Sequence, residues 1–400
     1  MTNKARPTAS RANGRTNALT PLTRMILWAK AAGRCEYAGC NKSLIGDLIS
    51  GAEDKNFGFV AHIVADTATG PRGDAVRSPL LSDDIKNIML LCHVHHKLID
   101  IDAVTAHPEG RLLAMKAAHE LRIETVTGID ADRASHVLRY AANIGGHESP
   151  VAYEQISAAM LPERYPADGP RTIDIELQGS AYRDHEPEYW ALQRENLKRQ
   201  FATKIRERIE VREIHHLSVF ALAPQPLLIE LGRLLCDITA AEVYQLHREP
   251  KGWRWPENGR ALRYRLREPT QQSGPIALVV GLSATVTDDR ITEVLGPDTA
   301  MWAIEAEEPH NDIMQRVSDL AEFRRLARRV FNAIKARHGE RAVINVFPAM
   351  PVSAAVELGR VWMPKADLPL LVYDQNRELK GFSRALEIGA AESAKGPGAN

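Results

Sequence analysis

The sequence predicts a multidomain α/β chain, with a small metal-pinned module first and a larger, duplicated strand–helix region after it. Three observations carry that reading. Three of the four cysteines, Cys35, Cys40 and Cys92, share one stretch with His95 at metal-ligand spacing. Beyond residue 170, apolar strand-like runs alternate with helical runs, the pattern of α/β layers around a largely parallel sheet. Within that region one strand–loop–helix segment occurs twice, and Glu230-Leu-Gly-Arg233 returns as Glu357-Leu-Gly-Arg360, 127 residues later.

The chain has 400 residues, 44% of them hydrophobic and 26% charged, which is enough for two or three packed domains. Lys+Arg and Asp+Glu balance at 51 each, so net charge does not point to nucleic acid and the distribution of charge must be read instead. No apolar run approaches the ~20 residues of a membrane span, and no signal peptide is visible. Cysteines held in a ligand pattern suit a reducing cytosol rather than a disulfide framework. The fourth, Cys236, lies in an apolar helical run and reads as core.

Residues 1–19 read as a flexible arm. From residue 1 to 34 there are seven basic residues and no acid, so the arm is either a solvated tail or a strip lying along phosphates. Thr20-Pro21 then reads as an N-cap and first helical residue, with the helix running to Gly33. The run from Phe57 to Val64 is strand-like and carries His62. A Gly/Pro/Asp-rich loop from Thr67 to Pro79 leads to a capped turn at Ser82-Asp83-Asp84 and then to Asn87. A helix is expected from Cys92 to Leu98 and another from Glu109 to Thr127. Strand, loop and helix pinned by metal make the ββα-metal arrangement. Residues 129–170, with Gly145-Gly146 and several prolines, read as a helical connector.

Cys35-x4-Cys40 and Cys92-x2-His95 complete a four-ligand shell, closed and therefore structural, which fits Zn2+. Inside that clamp His62 can serve as general base toward water, and His96 can hold a divalent ion, Mg2+ or another. Asn87 suits fixing the ring of His62 or the loop beneath it, and Arg72 could clamp a neighbouring phosphate. The ordered set His62, Asn87, His96 within a cysteine frame over residues 35–100 closely resembles the HNH nuclease family. It departs at Ala61, where many members place an Asp that ligates the ion; Asp66, Asp83 or Asp84 could contribute instead.

In the second region strands are expected at Thr172–Leu177, Leu217–Leu222, Ala241–Leu246, Ile276–Leu282, Val343–Phe347 and Leu370–Tyr373. Helices are expected over about Glu186–Arg212 and Ile313–Arg337. Two Rossmann-like halves facing each other would form a cleft from paired loops at the strands' C-terminal ends. Candidate cleft residues are Pro224 and Gln225, Met350 and Pro351, Ser283 and Thr285, with Arg248 for a phosphate. Trp253 and Trp255 either stack on bases there or cover a sheet edge. No catalytic constellation stands out beyond residue 170.

The run Leu217–Arg233, with His247-Arg248, Trp253-Arg-Trp255 and Asn345–Ser353, resembles a SAVED domain, built of two fused CARF-like halves. HNH followed by SAVED resembles the effector endonucleases of bacterial CBASS antiphage defence. That resemblance implies an HNH domain over 20–128, a SAVED domain over 171–390 and a disordered tail over 391–400. It implies a cytoplasmic enzyme activated by a cGAMP-like cyclic dinucleotide from a partner cyclase. Activation would proceed through a homo-oligomer, a dimer assembling to a tetramer, that degrades double-stranded DNA. The alternative is a non-catalytic, zinc-stabilised DNA-binding regulator, which would need the zinc shell but not His62, Asn87 and His96.

Overall fold

The computed structural model describes residues 19–47, 52–142, 152–169, 171–177, 182–184, 186–236, 240–376 and 381–389. Most of the expected N-terminal arm and all of the expected tail lie outside these residues. The chain divides into two compact units, 1–130 and 131–400, and each is taken by itself. No helix among the described residues is long and apolar enough to cross a membrane.

The first unit opens with α1 (Pro21–Lys30), where the Thr20 hydroxyl accepts from Thr23 N–H at 3.1 Å and Pro21 takes the first turn. The helix ends through two left-handed residues, Ala32 at φ +51° and Gly33 at φ +62°, whose N–H groups donate to the Ala29 and Trp28 carbonyls. Strands β1 (Ile45–Asp47) and β2 (Ala52–Asn56) pair antiparallel, and β3 (Gly58–His62) leads into the loop that holds α2 (Arg77–Leu81). Strand β4 (Ile88–Cys92) returns antiparallel to β3, with His62 opposite Ile88 and Gly58 opposite Cys92. Helix α3 (His93–Lys97) starts directly from Cys92, and α4 (Glu109–Thr127) closes the unit. Every side chain of β4 is buried, among them Leu90 and Leu91, and packs with Leu27, Leu44, Ile63, Ile99 and Leu112. The cluster is small, so a metal staple is the expected supplement.

The second unit does not open on a helical connector. The expected helical connector over 129–170 contains β5 (Ala134–Ala142), a central strand of the first sheet, followed by α5 (Tyr153–Met160) and the two-residue β6 (Tyr165–Pro166). The first half continues with β7 (Ile173–Leu177), α6 (Pro187–Phe201), α7 (Glu207–Glu210), β8 (His216–Leu222), α8 (Gln225–Leu234) and β9 (Ala240–Val243). A short ladder of β10 (His247–Arg248) and β11 (Lys251–Gly252) precedes β12 (Tyr264–Arg267). The second half is β13 (Ile276–Gly281), α9 (Asp288–Leu295), β14 (Ala300–Ala306), α10 (Val317–His338), β15 (Ile344–Ala349), α11 (Val352–Val361) and β16 (Leu370–Asn376). An antiparallel β17 (Gly381–Ile388) completes that sheet on one edge and β12 on the other.

The two halves repeat one topology. Strands β7, β5, β8 and β9 lie side by side and parallel; β14, β13, β15 and β16 repeat that order, also parallel. The repeated sequence falls on corresponding places: β8 and β15, then Pro224 and Pro351 as N-caps, then α8 and α11. One apolar cluster spans both halves, including Leu227, Leu228 and Leu231 of α8 and Ala355, Val356 and Leu358 of α11. The Glu of each repeat is buried and bound by its own Arg. Glu230 Oε1 accepts from Arg233 at 2.6 Å and Glu357 Oε1 from Arg360 at 2.7 Å.

Candidate functional site

Cys35 follows the α1 stop, and its N–H donates to Lys42 at 3.0 Å, closing the loop that carries Cys40. Cys92 ends β4, and one turn of α3 brings His95 back beside it. The ligand atoms of Cys35, Cys40, Cys92 and His95 all lie within 4.8 Å of one another. His95 Nδ1 stands 3.2 Å from Cys92 Sγ and 3.6 Å from Cys35 Sγ. Four donors about 2.0–2.3 Å from one tetrahedral ion have such separations, so the set fits zinc. Burial pushes the Cys35 thiol up to about 12, so a cation is what would favour thiolate here. Burial also lowers His95, keeping its imidazole in the neutral form that ligates.

Two residues that sequence reasoning missed support this centre. Tyr37 stacks on His95, with ring centroids 4.0 Å apart and planes 2° from parallel. Its hydroxyl lies 3.0 Å from His107 Nε2, and His107 Nδ1 lies 2.8 Å from the Ala103 carbonyl. Since a carbonyl only accepts, His107 is protonated at Nδ1 and takes the Tyr37 proton at Nε2. Tyr37 lies within the Cys35–Cys40 loop, which was the available signal; His107 gave none.

His62 sits at the end of β3, half-buried, with Nε2 2.9 Å from the Ser82 carbonyl. Nε2 is therefore the donor, and in the neutral ring Nδ1 keeps a lone pair, the form a general base needs. Asn87 is buried beneath it. Its Oδ1 accepts from Val64 N–H at 2.8 Å, and its Nδ2 donates to the Val64 and Leu81 carbonyls at 2.9 and 3.1 Å. Of the two roles open for Asn87, the loop beneath His62 is the one its contacts serve. His96, on α3, stacks on Phe59 of β3 at 5.4 Å, and its Nε2 stands 3.4 Å from Asp100 Oδ2.

Arg72 is turned inward rather than toward a phosphate. Its side chain is 9% exposed and bound from within: Nε to the Ile63 carbonyl at 2.5 Å, Nη1 to Ile99 at 2.8 Å and Nη2 to Asp100 Oδ1 at 2.7 Å. A guanidinium so engaged ties the His62 strand to the turn after His96 and offers no fork to a phosphate. The three carboxylates suggested to replace the missing Asp at Ala61 also differ from one another. Asp83 Oδ1 accepts from Thr20 N–H, which lowers its pKa, and Asp84 Oδ1 caps the turn at Lys86. Asp66 Oδ2 is buried without a hydrogen-bond partner.

In the second unit the paired proline loops do meet. Gln225 Oε1 accepts from Met350 N–H at 3.2 Å, and Ser283 N–H donates to the Ala349 carbonyl at 2.8 Å. Pro224, Pro351 and Met350 are buried, Ser283 half-buried and Thr285 exposed. Segments 143–151, 178–181 and 377–380, which follow β5, β7 and β16 at the strands' C-terminal ends, lie outside the described residues. Arg248 is exposed, with its backbone N–H on Asp312. Trp253 is 2% exposed, edge-on to Phe220 at 5.4 Å and packed with Tyr244 and Ile156, so it is core and cannot stack on a ligand. Trp255 instead helps line a cavity of about 560 Å³ beside β9, with Leu161, Tyr244, Arg254, Leu320 and Arg324. None of the proline-loop residues lines it.

Comparison with known families adds one firm result. Residues 197–388 match the SAVED model, described as the SMODS-associated and fused to various effectors sensor domain. No curated protein matches the chain. Among solved structures it is similar to the Acinetobacter baumannii Cap4 SAVED/CARF-domain containing receptor with the cyclic trinucleotide 3'3'3'-cAAA. That match has 11% identity and a TM-score of 0.41 over 69% of this chain and 56% of that one. The same receptor with 2'3'3'-cAAA matches at 10% identity, TM-score 0.40, over 69% and 55%. The Moraxella osloensis Cap4 receptor matches at 9%, TM-score 0.39, over 70% and 58%. The chain thus spans little more than half the length of these receptors.

Proposed function

With a SAVED domain as its C-terminal sensor, the chain is, we propose, a cyclic-oligonucleotide-activated, metal-dependent endonuclease of the HNH type that cuts double-stranded DNA in antiphage defence. The observation that carries the nuclease half is His62. Its Nε2–H is fixed on the Ser82 carbonyl, which leaves Nδ1 with the lone pair a base needs, in a unit that also carries a zinc-fitting shell.

In this reading His62 Nδ1 takes the proton of a water that attacks phosphorus in line with the departing oxygen. Asn87 holds the Leu81–Val64 loop, and with it the Ser82 carbonyl that orients the ring. Phe59 sets the plane of His96. His96 would hold a divalent ion, which when bound stabilises charge on the phosphate and the leaving oxygen.

For the sensor half, the support is the SAVED match and the clasped loops at Gln225–Met350. The messenger proposed is a cyclic dinucleotide seated over those loops, with Ser283 and Arg248 as polar contacts and assembly of dimers into tetramers as its consequence. To convert a 1:99 resting population into 99:1 active, the messenger must favour the assembled state by about 5.5 kcal/mol.

The test is to incubate the full chain with plasmid and Mg2+, adding members of a cyclic di- and trinucleotide panel one at a time, with His62→Ala alongside. Degradation with one messenger, lost in the variant, is the expected result. A plasmid that survives every messenger but shifts on a gel would instead make the protein a DNA-binding regulator. Cutting without any messenger would keep the nuclease and remove the switch.

A further inference from the structure

Ala61 offers no ligand where many HNH enzymes have Asp, and the first unit contains a carboxylate placed to make up the difference. We infer that Asp100 is the second protein ligand of the catalytic divalent ion, paired with His96; this rests on the metal-dependent nuclease reading.

The two residues are four apart on one helical path, α3 running into a wider turn over Leu98–Asp102. His96 Nε2 and Asp100 Oδ2 stand 3.4 Å apart. That separation is long for a charge-assisted hydrogen bond, which runs about 2.7–2.9 Å. Neighbouring donors about 2.1 Å from an octahedral ion stand about 3.0 Å apart, so the pair needs to close by only about 0.4 Å to hold one between them. The other oxygen of Asp100 is fixed by Arg72 Nη2 at 2.7 Å. Arg72 also reaches the Ile63 carbonyl, next to His62, so the same guanidinium positions the carboxylate and the base strand. Metal-bound carboxylates are oriented from behind in this way. Both side chains keep a route to solvent, 33% exposed at His96 and 22% at Asp100, whereas Arg72 is closed off. Asp83 and Asp84 are engaged with backbone N–H groups, which leaves Asp66, with its buried free oxygen, as the rival.

The experiment is Mn2+ binding to the full, zinc-loaded chain, read by electron paramagnetic resonance of free Mn2+ and independent of turnover. The wild type should take up one Mn2+ beyond the zinc. Asp100→Asn and His96→Ala should weaken that site at least tenfold, and Asp66→Asn should leave it unchanged. Asparagine still accepts from Arg72, so zinc content and the melting curve should hold. If they do not, Asp100→Glu keeps the charge but displaces it by one methylene, and should lower Mn2+ affinity in a folded protein. Wild-type affinity in the Asp100 variants, or no Mn2+ uptake by the wild type, overturns the assignment. Failure of the nuclease reading looks different: plasmid stays intact under every messenger while Mn2+ binding still depends on Asp100. The converse, His62-dependent cutting with Mn2+ binding indifferent to Asp100, removes the ligand and keeps the nuclease.

Discussion

Gly232 and Gly359 face each other across the crossing of α8 and α11, each helix backbone pressed onto the other's glycine. A Cβ on Gly232 would fall 1.9 Å from the Val356 carbonyl oxygen, and one on Gly359 would fall 1.9 Å from that of Ile229. The obstacle is backbone in both cases and cannot rotate away. This explains why Glu-Leu-Gly-Arg is kept in both repeats: glycine lets the helices touch, and the Glu–Arg pair satisfies the charge buried beside them.

Either Gly232→Ala or Gly359→Ala should therefore force the helices apart. The expected cost is about 3 kcal/mol, at the upper end for overpacking. Urea unfolding followed through the C-terminal unit would read it; a midpoint within error of wild type would mean the crossing is looser than described.

The wild type should carry one zinc per chain on Cys35, Cys40, Cys92 and His95, and Cys40→Ser and Cys92→Ser should each carry none. Because the apolar cluster around Leu90 and Leu91 is small, the first unit should lose its cooperative transition with the metal. Elemental analysis and a melting curve together decide it. Retention of one zinc by Cys92→Ser would show that His95 and the two remaining thiols suffice.

The strands and helices that alternate beyond residue 170 were legible because burial on both faces writes continuous apolar runs such as Ile276–Gly281. The clustering of Cys35, Cys40, Cys92 and His95 was legible because thiols and imidazole at that spacing have few other uses. β5 was not: Gly145-Gly146 and the nearby prolines suggested a linker, although Val137, Leu138 and Tyr140 supply a core strand. Trp253 and Arg72 show a different limit. Residue type gives the chemistry available to a side chain, but whether it faces a ligand or the interior depends on distant partners, Phe220 for one and Asp100 for the other. The Asp100–His96 pair is a local i, i+4 signal that could have been read, had Ala61 prompted a search along α3.

Arg72→Ala separates the two roles considered for that residue. A phosphate contact would lower DNA affinity and reduce the salt slope by about one unit. Since the side chain is bound internally to Ile63, Ile99 and Asp100, DNA affinity of the folded protein should keep its salt slope, while stability falls by about 2 kcal/mol, chiefly from the Ile63 and Ile99 carbonyls left unpaired. A filter-binding series in salt, run beside a melting curve, distinguishes them. A shallower slope with unchanged melting would restore the phosphate role.

His216 should make the C-terminal unit sensitive to acid. Its ring is buried at the start of β8, with Nδ1 2.8 Å from Ser135 Oγ, which lies 2.8 Å from Ser218 Oγ in turn. Burial, reinforced by the Arg164 charge, pushes His216 down to about 4 from its ordinary 6.5. The unfolded chain thus takes up a proton near pH 6.5 that the folded chain refuses until about pH 4, so the unfolded state binds more protons across that window. Stability should be fully present above pH 6.5, decline as pH falls toward 4, and decline no further from this group below that. Burial lowers His136 and His247 as well, which adds in the same direction. His216→Asn offers Ser135 an acceptor but no titrating ring, so the difference in unfolding free energy between wild type and variant should shift in the variant's favour from pH 7 to pH 4.5. Parallel curves over that range would mean that His216 is as easily protonated in the folded protein as in the unfolded chain.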